Sequence, residues 1–305
     1  MDSTGREHPL GSQMRPYLAI MRHDLQDLWQ SRLVRLWLAA TVLLTLLATM
    51  GNWAKLTNAP LIASLMFPYL VFPWFFVVIM LGVTPVSGDR AETLADGILS
   101  RPVTRHGYLL ATWLARILTV WGSFLVVTVP AIVTIMLARR PVTEDPVTVY
   151  GVLTSLGLVG LVLSLIVSLG FLAGIVLRKP LLAAVVLIFV WYPVNFVLSV
   201  FSLEEFSPIS LSQAITTQLR QPWKSAQGDS RKVASQQDIE AISRQASRFL
   251  SVLSGAESPP PTPKAKYFDQ DRFKDFSVLR VGLGYAVPTL GAVFLAIVCF
   301  YWRDL

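Results

Sequence analysis

Hydrophobic positions gather into six long runs, and charged or proline-bearing segments separate one run from the next. A stretch of about 18 or more apolar residues is the length that crosses a bilayer. The runs predict spans at about 33–53, 61–83, 108–137, 149–177, 181–201 and 279–302. Trp37 and Trp53 sit near the ends of the first, where indoles favour the headgroup zone. Pro68 and Pro73 predict a kink or break in the second. The fourth is rich in small residues, among them Gly157, Gly160, Ser164, Ser168, Gly170 and Gly174. Small residues let helix backbones approach closely in lipid, so this run is expected to pack tightly.

Two segments carry a different period. After Tyr17, the residues Leu18, Met21, Leu25 and Leu28 recur at three- and four-residue spacing, with Arg22, Asp24, Gln26 and Asp27 between them. That is an amphipathic helix. Arg15, Arg22, Arg32 and Arg35 suit it to an anionic membrane surface, so an interfacial helix is expected ahead of the first span. The polar stretch 203–277 is the second such segment. Ser207-Pro208 is a helix-start signal, and Leu211, Ile215 and Leu219 mark one face of a short helix. Ile239, Ile242, Ala246, Phe249 and Leu253 predict another helix, ended by Gly255. Pro259, Pro260, Pro261 and Pro263 follow as a stiff connector. The expected fold is an all-α membrane protein, a six-transmembrane-helix bundle with an N-terminal interfacial helix and an extracytoplasmic helical insertion between spans five and six. Its parts are a disordered 1–14, a membrane domain over 15–202, the insertion over 203–277, and 278–305 with the last span and a cytoplasmic end.

Composition agrees with a membrane chain. The hydrophobic class makes up 53% of the 305 residues and charged residues only 15%, where a soluble domain carries roughly a quarter. A net charge of +7 could point to nucleic acid. The basic residues flank apolar spans instead, so the expected contact is membrane lipid and no nucleic-acid partner. Placing both termini in the cytoplasm puts Arg6, Arg15, Arg22, Arg32, Arg35, Arg90, Arg101, Arg105, Arg178, Lys179 and Arg303 inside. The short outer loops then receive Lys55, Arg139 and Arg140, and this asymmetry sets the expected orientation in the inner, or plasma, membrane. The single cysteine, Cys299, lies in an apolar run and reads as an inert thiol. No cleavable signal peptide is expected, because about 35 mixed residues precede the first span.

The chain lacks GxxxxGK[ST], HExxH, paired cysteines and GxSxG. His8, His23 and His106 form no spaced ligand set. Neither a cofactor nor a catalytic cluster is therefore expected. Ion-coupled carriers usually need Asp, Glu or His within their spans. Here only Arg116 falls clearly inside an apolar run, and its long side chain is expected to snorkel to the inner interface.

The most informative stretch lies between the second and third runs. It reads Ser87-Gly88-Asp89-Arg90-Ala91-Glu92-Thr93-Leu94-Ala95-Asp96-Gly97-Ile98-Leu99-Ser100-Arg101-Pro102-Val103-Thr104-Arg105. Leu94, Ile98 and Leu99 can share a helix face, and Pro102 ends the element. This stretch resembles the loop after the second span of the ABC-2 type permeases, the membrane subunits of type V ABC exporters. Ser87, Gly88, Asp89 and Arg90 match its opening, and Asp96, Ile98, Leu99, Ser100, Pro102, Val103, Thr104 and Arg105 match its close. Tyr108-Leu109-Leu110 resembles the start of the family's third span. The chain departs from the pattern at Thr93-Leu94, where the family has Gly-Thr, and at Ala111-Thr112, where it usually has a lysine. The flavour is that of the copper-enzyme-maturation-permease branch. The resemblance implies a permease subunit that is not itself an enzyme, with ATP bound and hydrolysed by a separate ABC ATPase subunit. It implies a second permease subunit, identical or a sister chain. It makes Asp89, Arg90, Glu92, Leu94, Ile98, Leu99, Arg101, Pro102 and Arg105 the ATPase-coupling loop. The alternative is a membrane scaffold for assembly or maturation of an extracytoplasmic enzyme, without solute transport.

Overall fold

The computed structural model describes residues 9–71, 73–83, 104–138, 140–141, 146–177, 179–200, 207–220 and 277–303, and every regular element among them is a helix. Nine helices occur among the described residues: α1 (Pro9–Gln30), α2 (Arg32–Asn52), α3 (Asn58–Leu70), α4 (Trp74–Val83), α5 (Arg105–Leu137), α6 (Val149–Val176), α7 (Pro180–Val200), α8 (Pro208–Leu219) and α9 (Val278–Arg303). Five segments are long and apolar enough to cross a membrane: Arg32–Asn52, Asn58–Val83, His106–Leu137, Val149–Val176 and Val278–Trp302. The chain is a multi-pass membrane protein. The remaining run forms α7, whose apolar part, Pro180–Asn195, is shorter than those five.

The second span is broken, and the break falls at Pro73. Helix α3 passes through Pro68 and ends at Leu70, where the Val71 N–H donates to the Phe67 carbonyl at 3.1 Å. Pro73 has no N–H to donate to the turn before it, and α4 begins at Trp74.

Helix α6 is the hub. It is apolar all round and buried along most of its length, as a central helix must be. Its most extensive neighbours are α9 and α4, and α5, α7 and α8 also touch it. The small residues picked out in the sequence do the close work. A Cβ on Gly174 would lie 2.7 Å from the Val83 carbonyl oxygen, so only glycine lets α4 end there. Gly160 leaves room for the Trp121 ring. The Trp113 indole donates to Ser168 Oγ at 2.9 Å, and the Trp121 indole to Ser164 Oγ at 2.9 Å. Two indoles on α5 thus bond two serines one turn apart on the antiparallel α6.

Opposite α1, α8 closes one end of the bundle. Its predicted face is buried: Leu211, Ile215 and Leu219 are each enclosed, against α3 and α6. The backbone of α6 starts against its far end, with the Thr148 N–H donating to the Leu219 carbonyl at 3.0 Å and Gln218 Nε2 donating to Thr154 Oγ1 at 2.9 Å. Ser207 holds the N-cap position but turns its hydroxyl to Asn195 Oδ1 at 2.8 Å, tying α8 back to α7. The second predicted helix at 239–255 and the proline connector lie outside the described residues.

At this same end Arg140 fastens two loops. Its Nη1 donates to Asn58 Oδ1 at 2.8 Å, Nε to the Trp53 carbonyl at 3.2 Å, and Nη2 to the carbonyls of Leu56, at 2.6 Å, and Trp53. The guanidinium also lies over the Trp53 ring, 5.0 Å from its centroid. The carbonyls at the end of α2 thereby gain a cationic partner. Desolvation draws the Arg140 pKa below its ordinary value. Outward-facing side chains such as Leu36, Leu47, Phe189, Val287 and Phe294 are exposed on the bundle surface, where lipid tails are their natural solvent.

Candidate functional site

Of the sequence-predicted coupling residues, Asp89, Arg90, Glu92, Leu94, Ile98, Leu99, Arg101 and Pro102 lie outside the described residues, and Arg105 is the first residue of α5. The two ends of that loop are described. Its upstream end is Val83, seated against Gly174 of α6. Its downstream end is Thr104, the N-cap of α5, whose hydroxyl accepts from the Gly107 N–H at 3.3 Å. That hydroxyl also shares a hydrogen bond with the Tyr17 hydroxyl of α1 at 3.1 Å. Gly107 leaves room for the Tyr17 ring, which a side chain at that position would displace.

Three contacts trace the course of α1. Tyr17 meets Thr104 and Gly107, Asp24 meets Thr112, and Trp29 lies 3.4 Å from where a Cβ on Gly122 would be. Helix α1 therefore runs alongside α5, in the same direction. Helix α5 has 33 residues. At 1.5 Å per residue it is about 50 Å long, against a hydrocarbon core of about 30 Å. Its first turns are the part that α1 flanks. Of the predicted interfacial stripe, Met21, Leu25 and Leu28 are half-buried, Leu28 against the main core, while Leu18 is exposed.

Under α1 sits the one charged side chain that the described spans enclose. Arg116 is 3% exposed, so the expectation that it snorkels to an interface is corrected. Its Nη1 donates to the Thr112 carbonyl at 3.3 Å, its guanidinium stands over Phe171 of α6 at 5.7 Å, and Nε has no hydrogen-bond partner. The Thr112 hydroxyl donates to Asp24 Oδ2 at 2.8 Å. One threonine therefore carries the arginine on its carbonyl and the aspartate on its hydroxyl. The reason for the correction is steric: α1 and α6 close over this stretch of α5, and a carbonyl and an aromatic face take the place of water.

Sequence reasoning missed Asp24, Thr112 and Phe171. Asp24 did leave a signal, three residues after Met21 and four before Leu28. That spacing puts it beside the buried stripe and not on the opposite face. Among the described residues no group of three or more His, Cys, Asp or Glu could hold a metal ion. No protein-family model matches this chain, and no curated protein sequence does.

Proposed function

We propose that the chain is the transmembrane permease subunit of an ATP-binding-cassette exporter of the ABC-2 type. In this reading it crosses the inner membrane six times, with α7 as the fifth span, both termini in the cytoplasm and α8 as part of an extracytoplasmic cap. A separate ATPase subunit binds and hydrolyses ATP, and a second permease, identical or a sister chain, completes the pathway.

One observation carries the reading: the stretch that resembles the family's ATPase-facing loop is strung between two anchored points. Val83 is locked against α6 by a glycine contact, and Thr104 is bonded to α1. A push on residues 88–102 would be felt by α4 and α6 on one side and by α1 and α5 on the other. Such a linkage is what a coupling loop requires if nucleotide-driven motion below the membrane is to move helices within it.

The test is affinity capture of the tagged chain from its native membranes under mild detergent, followed by reconstitution. The expected result is recovery with an ATPase bearing a phosphate-binding loop, and ATP-driven solute movement in proteoliposomes. Recovery without any ATPase, together with stable retention of an extracytoplasmic enzyme, would instead identify a scaffold.

A further inference from the structure

We infer that α1 is a latched element, held on α5 by Asp24 acting as the counter-charge of the buried Arg116 through their shared Thr112. Among the described residues only two carry a carboxylate side chain, Asp24 and Asp27. Asp27 is turned to the surface, where it pairs with His23 at 3.2 Å and is 68% exposed. Asp24 is the one turned onto α5, with Oδ2 2.8 Å from Thr112 Oγ1. Four residues further along α5, Arg116 bonds the carbonyl of that same threonine. The Arg116 guanidinium keeps one N–H unpartnered and relies on the Phe171 ring and the nearby negative charge for its compensation.

A cation buried without a counter-charge is strongly unfavourable, whereas a compensated one is tolerated. Seating α1 and burying Arg116 are therefore one event. With α1 down, Asp24 balances the arginine and Tyr17 holds the Thr104 cap of α5. With α1 lifted, both contacts are lost together, and Arg116 is left as an open cation beside the first turns of α5. Two further contacts of α1 on α5 are the Tyr17 ring at Gly107 and the Trp29 ring at Gly122. Neither ring carries a formal charge, which leaves Asp24 as the discriminating contact. The latch stands on these contacts alone and does not depend on the exporter reading.

The test uses the full-length chain in detergent, with Cys299 replaced by serine and a reporter cysteine at Ala111. Ala111 is buried on α5, four residues after Gly107 and next to Thr112. A second reporter, Ala214→Cys on α8, monitors the integrity of the opposite end. Asp24→Asn keeps an acceptor for Thr112 but removes the charge. It is expected to raise maleimide labelling at position 111 on the order of tenfold, with labelling at 214 unchanged. Arg116→Met added to Asp24→Asn removes the uncompensated cation and should return labelling at 111 to the parental rate. The latch is overturned if Asp24→Asn labels like the parent. It is equally overturned if the double variant stays as fast as Asp24→Asn, or if labelling at 214 rises in step with that at 111.

Discussion

Gly82 of α4 and Gly170 of α6 meet backbone to backbone: a Cβ on Gly82 would lie 3.0 Å from the Gly170 Cα and 2.8 Å from the Val167 carbonyl oxygen. Neither atom can rotate away, since both belong to helix backbone. Gly82→Ala should therefore push the two helices apart, at a cost of about 1–3 kcal/mol. Gly170→Ala meets its nearest atoms at 3.1 Å and should be milder. Gly157 has nothing within 4 Å of a would-be Cβ. Gly157→Ala should gain up to about 1 kcal/mol from helix propensity alone. Thermal unfolding of the three variants in one detergent gives the order, and equal melting temperatures would remove the close approach as a determinant of stability.

The paired indoles make a second, smaller prediction. Ser168→Ala deprives the Trp113 N–H of its acceptor while changing little volume. Interhelical hydrogen bonds of this kind average about 0.6 kcal/mol in membranes. A loss of that size is expected, with a matching red-edge change in Trp113 fluorescence. Ser164→Ala should act in the same way on Trp121.

Arg140 predicts a residue-type effect. It bonds Asn58 and the carbonyls of Trp53 and Leu56 at once. A lysine has the charge but not the planar fork, so Arg140→Lys should fail to restore what Arg140→Ala loses. Hydrogen exchange at residues 53–58 is the measurement. Both variants should exchange faster there than the parent, with α9 unaffected, and full protection in Arg140→Lys would show that charge alone suffices.

Apolar periodicity located the long helices because lipid imposes one length and one chemistry on every span. It also found the buried face of α8, since Leu211, Ile215 and Leu219 recur at helical spacing whether the helix packs on lipid or on protein. The break at Pro73 was readable, but the passage of α3 through Pro68 was not, because the same residue type can kink, break or merely sit in a helix. What periodicity could not supply was the pairing of distant elements. That Asp24 and Arg116 meet on Thr112 depends on α1 running alongside α5, and nothing local to either segment encodes that. The snorkelling expectation failed for this reason. A lone arginine reads as lipid-facing until the helix that covers it is known.

Topology can be settled at α7. Three crossings lie between residues 100 and 254 if α7 spans the membrane, and two if it does not. Cysteines at Ser100 and Ser254, in a background without Cys299, are expected to react with an impermeant maleimide from opposite sides of sealed vesicles. Reaction of both from one side would leave α7 as a helix that does not cross.

The last prediction concerns the loop itself. The sequence spaces Leu94, Ile98 and Leu99 so that they can share a helix face, with Asp89, Arg90 and Glu92 near them in the chain. If a cytoplasmic ATPase docks here, the apolar anchors enter a desolvated groove and carry most of the contact energy. Truncations at the best positions of such interfaces cost about 2 kcal/mol or more. Charges at the rim act mainly on association rate and salt dependence. Ile98→Asp or Leu99→Asp should accordingly release the ATPase, or leave hydrolysis running without transport, while the protein still inserts and folds. Arg90→Ala should be milder, with its effect on ATPase recovery largest at low ionic strength and fading as salt is raised. Insertion can be scored independently, because the Tyr17–Thr104 and Trp113–Ser168 contacts lie in the bundle and not among residues 88–102. Matched membrane levels and unchanged tryptophan fluorescence would show that the bundle is intact. Capture of the ATPase by parent and Ile98→Asp protein, at equal membrane levels, then isolates the loop's contribution. Equal capture with unchanged substrate-stimulated hydrolysis would show that residues 88–102 only join α4 to α5, and that the ATPase, if there is one, grips the bundle elsewhere.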